Sequence, residues 1–260
     1  MERPGVSDRP ILFSAPMVRA LLAGTKTQTR RTLRRARVFG TPETKAFTLS
    51  GDNLARALQG ADRFRHLCGD GWFWEADAFE WQAPATRTGW MAHIGYAPGE
   101  RLWVKETHAF HWATDDQKSR DMDPELWSVR YIADDFIRPA SRDGSAALID
   151  QCKKLRPSIF MPRWASRITL TVTDVRVERL QDISEADVLA EGAPLDPNHR
   201  DGTQDGSNPY MCVGETPHTT QSPRAWYHHV WDSINGAGAW DANPWVVAVS
   251  FDVRKGNIDA

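Results

Sequence analysis

The chain has 260 residues, long enough to bury a sizeable core, and its 41 % hydrophobic and 25 % charged residues exclude a wholly disordered polypeptide. A formal charge of −2 excludes a protein that coats nucleic acid through its overall field, while leaving room for a local basic cleft. Cys68, Cys152 and Cys212 are isolated and odd in number, so neither a disulfide framework nor a thiolate zinc site is expected, and a reducing cytoplasm is. The opening MERPGVSDRP lacks the apolar core of a secretion signal and no run approaches bilayer-spanning length, so no membrane role is expected. Twelve Trp supply surface for cores, for interfaces or for stacking on planar ligands, and their number does not choose among these.

In chain order, Ser14 is expected to cap a short helix that begins near Ala15 and Pro16, shows Met17, Ala20 and Leu21 on its apolar face, and stops at Gly24. TKTQTRRTLRR reads as a turn entering a short extended segment. Positive charge collects there as Lys26, Arg30, Arg31, Arg34, Arg35 and Arg37, with no acidic residue between them. From about Val38 to Ala92 the pattern is irregular, with aromatic runs such as GWFWE, and predicts an insertion with minor strands. APGERLWVKETHAF carries a turn at Pro98 and Gly99 followed by a strand, and WSVRYIA predicts a hairpin.

The strongest alternation is in RITLTVTDVRVERL, where branched residues alternate with polar ones. A helix follows, with an N-cap at Ser184, a staple of Ile183 on Val188, Asp187 in a weak capping box and Gly192 as its stop. Glu191 then falls in the last turn, where the helix field disfavours a negative charge unless a cation compensates it. Residues 193 to 221 are rich in Pro, Asn, Asp, Gly and Thr and predict a long loop. Ser222 and Pro223 open another helix with Trp226, Val230 and Ile234 at helical spacing, ending at Asn235-Gly236. PWVVAVSFDV predicts a closing strand. Separated strands with few long helices and no βαβ repeat favour a barrel with helices across its openings.

Four segments, LLAGTKTQTRR, GERLWVKET, MPRWASRITLTVTDVRVERLQDISEADVLAEG and YHHVWDSINGAGAWDANPWVVAVSF, together resemble the ASCH family of the PUA-like superfold, especially its larger phage and prophage members. The resemblance implies a mixed α/β (α+β) fold: one domain over 1–260, built as a PUA-like β barrel with flanking helices and with insertions at 38–92, 112–157 and 193–221. Segments 102–106, 168–178 and 245–253 would then belong to one sheet system. The best understood small members are amidohydrolases that remove the acyl group from the exocyclic nitrogen of N4-acetylcytidine. Their catalytic Lys and Thr lie in a Gly-x-Lys-Thr-x-Thr stretch, which here is GTKTQT and implies those roles for Lys26 and Thr29. Their catalytic Glu stands six residues after an acidic residue near the start of the post-strand helix, a relation that runs here from Glu185 to Glu191. The resemblance thus implies a hydrolase of a C–N amide bond that uses neither metal nor cofactor.

Strand alternation alone would set Lys26 and Thr29 on opposite faces, so a turn or bulge has to bring them together. Lys26 could then deprotonate or orient Thr29 or a water, with Glu191 relaying a proton to the departing amine. A structural Lys–Glu pair beside a capping Thr is the competing reading. Arg30 and Arg31 are candidates to neutralise a nucleotide or an RNA backbone, or else are solvated charge. Glu106 is either a substrate contact or half of an ion pair. Arg163 and Trp164 are either a guanidinium and aromatic pair for a phosphate or base, or a wall-packing Trp with a surface Arg. His228 and His229 are adjacent and project differently from a helix, unlike the spaced ligands of a metal site. Cys212 and His218 lack a third partner.

The expected function is removal of an acyl group from N4-acylated cytidine or a related modified pyrimidine nucleoside. The alternatives are a noncatalytic module that recognises RNA or a modified base, and a ribonuclease. The expected partners are a modified nucleoside or base and single-stranded RNA.

Overall fold

The computed structural model describes residues 8–33, 96–110, 116–123, 126–139, 154–193 and 222–260, together with the backbone of strands at 35–38, 47–50, 63–67, 71–75 and 90–92. In chain order the elements are β1 (Asp8–Leu12), α1 (Ala15–Ala23), β2 (Gln28–Thr32), β3 (Arg35–Val38), β4 (Phe47–Ser50), β5 (Arg63–Leu67), β6 (Gly71–Glu75), β7 (Trp90–Ala92), β8 (Arg101–Lys105), β9 (His108–Phe110), β10 (Val129–Tyr131), β11 (Ile137–Arg138), β12 (Ile168–Arg179), α2 (Glu185–Ala190), α3 (Pro223–Asn235) and β13 (Trp245–Lys255). The principal sheet has five strands in the order β1-β8-β12-β13-β2, with β1 parallel to β8 and every other ladder antiparallel. Smaller sheets are formed by β11-β10-β9, by β3-β4 and by β5-β6-β7.

The expected strands at 102–106, 168–178 and 245–253 do share one sheet, as β8, β12 and β13. The expected PUA-like β barrel is not found: the fold is mixed α/β with open sheets. A barrel closes only when its edge strands pair, and among the described residues β1 pairs with β8 alone and β2 with β13 alone. The face that would line a barrel is instead covered by α1, which links the two edge strands and buries Val18 and Leu21 against Leu102, Leu170, Val247 and Val249. The sheet is nevertheless strongly coiled. Neighbouring strands are about 4.8 Å apart, so the edges of a flat five-stranded sheet stand about 19 Å apart, farther than one arginine can reach. Yet the Arg31 Nη2 of β2 donates to the Leu12 carbonyl at the end of β1, at 2.6 Å.

A β-bulge contributes to this coiling. On β12, Val172 pairs with Phe251 and Asp174 with Ser250, which leaves Thr173 as the extra residue. Ile168, Leu170 and Val172 before it, and Val175 and Val177 after it, therefore all face the core despite the change of parity. The opposite face of β12, β13 and β2 carries Arg176 and Glu178, Ser250, and Gln28 and Arg30. At one end this face is covered by α2 and α3, where Leu180, Ile183, Val188, Trp226, Tyr227, Trp231, Trp240 and Val246 form a second core.

The helices start and stop where their caps demand. Gly24 ends α1 with φ 77°, a left-handed backbone that favours glycine, although the Ser14 side chain makes no cap hydrogen bond. Ser184 Oγ accepts from the Asp187 N–H at 3.1 Å, and Ser222 Oγ accepts from the Ala225 N–H at 3.2 Å. The buried face of α3 differs from the expected one: it is Trp226, Tyr227 and Trp231, while Ile234 is 54 % exposed. The hairpin expected at WSVRYIA is β10 with β11. No helix among the described residues is long and apolar enough to cross a membrane. The proposed insertion at 38–92 lies largely, that at 112–157 in part, and that at 193–221 almost wholly, outside the described residues.

Candidate active site

Lys26 leaves α1 through Gly24 and meets the end of α2 before entering β2. The contact begins in the backbone: Lys26 and Glu191 form an isolated antiparallel bridge, and the Thr27 N–H donates to the Ala190 carbonyl at 2.8 Å. Gly192 makes this approach achievable. At φ +93° a Cβ on residue 192 would sit 3.0 Å from the Ala20 Cβ and 3.1 Å from the Lys26 Cβ, so glycine is required both by conformation and by space.

The side chains complete the junction. Lys26 Nζ, in a residue with 0 % exposure, donates to Glu191 Oε2 at 2.6 Å and to the Glu191 backbone carbonyl at 2.8 Å. The other carboxylate oxygen, Oε1, accepts from the Tyr227 hydroxyl at 3.2 Å and lies 3.5 Å from Arg30 Nη1. Burial draws the Lys26 amine below its ordinary value; the charge and hydrogen bond of Glu191 oppose that, and the nearby Arg31 and Arg30 push it down again. Burial, and then the Glu191 charge, holds the Tyr227 hydroxyl well above the usual phenol range, so it remains a donor. A carboxylate at the end of a helix is thereby surrounded by an ammonium, a guanidinium and a phenol.

Arg30 is sequestered rather than free. Its Nη2 donates to Glu178 Oε1 at 2.6 Å and to Asp187 Oδ2 at 3.1 Å, and burial, which works against its charge, is outweighed by Glu191, Tyr227 and Glu178. Asp187 also accepts from Gln28 Nε2 at 3.1 Å and from Arg176 Nη2 at 2.9 Å, so its carboxylate serves the sheet as well as the start of α2. Arg31 lies on the other side of β2. Thr29 and Arg31 pair with Val249 and Val247 and share their core-facing side. The Arg31 guanidinium stands over Phe13, 5.2 Å from the ring centre, and Lys26 Nζ lies 5.7 Å from the same centre. Lys26 and Arg31 thus border one aromatic wall, and Thr29 stands on the strand between them. Thr29 is buried as a residue, and its hydroxyl makes no hydrogen bond with any described residue.

The remaining candidates are not joined to this cluster. Glu106 is bound by Arg167 through Nε and Nη2 at 2.8 and 2.9 Å, and Arg167 also holds Asp134 and stacks on Tyr131 at 4.1 Å. This is the ion-pair reading of Glu106. Arg163 ties Asp8 to Asp259, and Trp164 packs against Phe110 beneath the Arg138 guanidinium at 4.9 Å. They follow the wall-packing reading, with Arg163 fastening β1 to the C-terminal segment. His228 reaches Asp232 at 3.4 Å, and among the described residues no group of three His, Cys, Asp or Glu is placed to hold a metal ion. Arg34, Cys68, Cys152, Cys212 and His218 lie outside the described residues, as do the side chains of Arg35 and Arg37.

Tyr227 and Phe13 were missed by sequence reasoning. Tyr227 had a signal: it is a hydroxyl-bearing aromatic on a helix whose other aromatics are purely packing residues, but the expected face placed it off the core. Phe13 follows a five-residue strand and has no distinguishing pattern.

No family model matches the chain, and no match was found among curated proteins or among solved structures.

Proposed function

We propose that the chain is a metal-independent amidohydrolase that removes the acyl group from the exocyclic amine of an N4-acylated cytidine or a related modified pyrimidine. The observation that carries this reading is the desolvated Lys26–Glu191 pair, with the hydroxyl-bearing Thr29 three residues along the chain from Lys26. Such a pair holds both partners needed for amide hydrolysis. One proton shift along the 2.6 Å Nζ···Oε2 hydrogen bond turns the ion pair into a neutral amine, a base, and a carboxylic acid, a proton donor. Burial helps the shift by lowering the amine's hold on its proton.

The neutral Lys26 takes the proton of the attacking hydroxyl, and Glu191 protonates the exocyclic nitrogen as the C–N bond breaks. Thr29 either attacks the acyl carbon itself or orients the attacking water. Either way one water is consumed, the carboxylic acid and the free amine are released, and the pair regains its starting protonation. The similarity of GTKTQT and SEADVLAEG to the amidohydrolase pattern supports the same roles.

The test is a chromatographic screen of N4-acylated cytidines with the wild type and with Thr29→Val. Because the hydroxyl has no hydrogen bond to lose among the described residues, the valine variant should keep its thermal midpoint while losing turnover by roughly a hundredfold or more. Turnover unchanged in Thr29→Val would remove Thr29 from the chemistry. Binding of nucleosides without cleavage of any would make the chain a recognition module.

A further inference from the structure

The two adjacent arginines of β2 differ in how their charge is met. Arg30 stands within ion-pair distance of three carboxylates, those of Glu178, Asp187 and Glu191. Arg31 meets none among the described residues. Its guanidinium is held by one backbone carbonyl, that of Leu12, and by the face of Phe13, two neutral partners that orient a cation without neutralising it. Its Nε is buried and has no hydrogen-bond partner, and Nη1 makes no hydrogen bond with any described residue. A guanidinium with unfilled N–H groups is suited to a tetrahedral or planar oxyanion, which takes two of its N–H groups together.

Position adds to this. Arg31 and Lys26 are 5.2 and 5.7 Å from one ring centre, so their charges are no farther apart than those distances combined, a span that one pyrimidine nucleotide can bridge. A bound anion would also relieve the repulsion among Lys26, Arg30 and Arg31, which a neutral acceptor cannot do. We propose that Arg31, backed by Phe13, is a phosphate subsite, so that the ligand of this side-chain cluster is a phosphate-bearing pyrimidine nucleotide rather than a bare nucleoside. The inference rests on the amidohydrolase reading for what is cleaved, but not for what is bound.

Binding is therefore the readout. Tryptophan fluorescence or calorimetry would compare cytidine, cytidine 5′-monophosphate, inorganic phosphate and a short single-stranded RNA, with the wild type, Arg31→Gln and Arg31→Lys. Wild type should bind cytidine 5′-monophosphate at least about tenfold more tightly than cytidine, as one charge-assisted contact requires. Arg31→Gln should erase that preference while leaving cytidine affinity within about twofold. Arg31→Lys should keep part of the preference, since it retains the charge but loses the fork. The RNA arm separates the two sources of phosphate: tighter binding of RNA assigns the subsite to a chain phosphate, and tighter binding of the mononucleotide assigns it to a free nucleotide. Equal binding of nucleoside and nucleotide by the wild type, or an equal loss for both in Arg31→Gln, would overturn the inference. If the nucleotide preference holds but no acylated substrate is cleaved, the subsite stands and the amidohydrolase reading falls. If acylated cytidine is cleaved without any preference for phosphate, the reverse holds.

Discussion

Glu191 is held at both of its carboxylate oxygens. Tyr227 donates to one carboxylate oxygen and Lys26 to the other, so removing either donor leaves a buried acceptor with fewer partners. Tyr227→Phe should lower stability by about 1.5–3 kcal/mol, the usual worth of a hydrogen bond to a charged group, read as a shift of the denaturant midpoint at constant slope. Gly192→Ala should act on the same junction through its backbone: the left-handed φ and the 3.1 Å approach to the Lys26 Cβ force either strain or a displaced Lys26. A thermal midpoint unchanged in Gly192→Ala would mean that the close approach does not bear on the fold. Of these residues, Lys26 and Glu191 stand in the short stretches on which the resemblance rests, and the structure brings these two together. The way they meet was not legible in the sequence. Alternation would place Lys26 and Thr29 on opposite faces, but Lys26 precedes the regular strand, and its side chain passes the sheet edge to reach Glu191 and Phe13 together.

At the scale of elements, the long strands β12 and β13 were readable from alternating branched residues. The bulge on β12 was not read, although Val172 and Val175 stand three apart where strict alternation needs an even spacing. The buried face of α3 was misread because Trp226 and Val230 are compatible with two overlapping stripes, and only the position of Tyr227 over Glu191 selects between them. Glu106 illustrates a different limit: its partner Arg167 is 61 residues away in the chain, and sequence spacing carries no information about that. Arg167→Leu should destabilise the fold by about 3–5 kcal/mol by stranding a buried carboxylate, and Glu106→Leu in the same chain should recover much of the loss. Failure of the second substitution to recover stability would contradict the ion-pair assignment.

The neighbouring His108 gives β9 a pH dependence. Burial pushes its imidazole down to about 4 from an ordinary 6.5, so between those values the unfolded chain binds the proton and the folded chain does not. Stability therefore rises with pH across that window and falls as pH drops through it, by up to about 3 kcal/mol. His108→Phe should flatten that limb of the stability–pH curve, and an unchanged slope would show that other groups produce it.

For the whole molecule, barrel and open sheet share the same strands and the same inward residues, which is why the alternation could not tell them apart. Closure depends on whether β1 and β2 pair, and here a helix laid over the concave face takes the place of that pairing. The coil of the sheet still brings both edges together, with Phe13 and Leu12 from one side and Lys26 and Arg31 from the other. The overall charge of −2 is compatible with a pocket that takes a small ligand, since much of the local positive charge on β2 is already neutralised at Arg30. The proposed amide hydrolysis depends on Lys26 and Glu191 acting together. The most direct measurement is the amount of cytidine released from N4-acetylcytidine per enzyme by the wild type and by Lys26→Met and Glu191→Gln, each confirmed folded by its circular dichroism and thermal transition. The account predicts multiple turnovers by the wild type and a loss of roughly a hundredfold or more in each variant; near-normal release by both folded variants would contradict it.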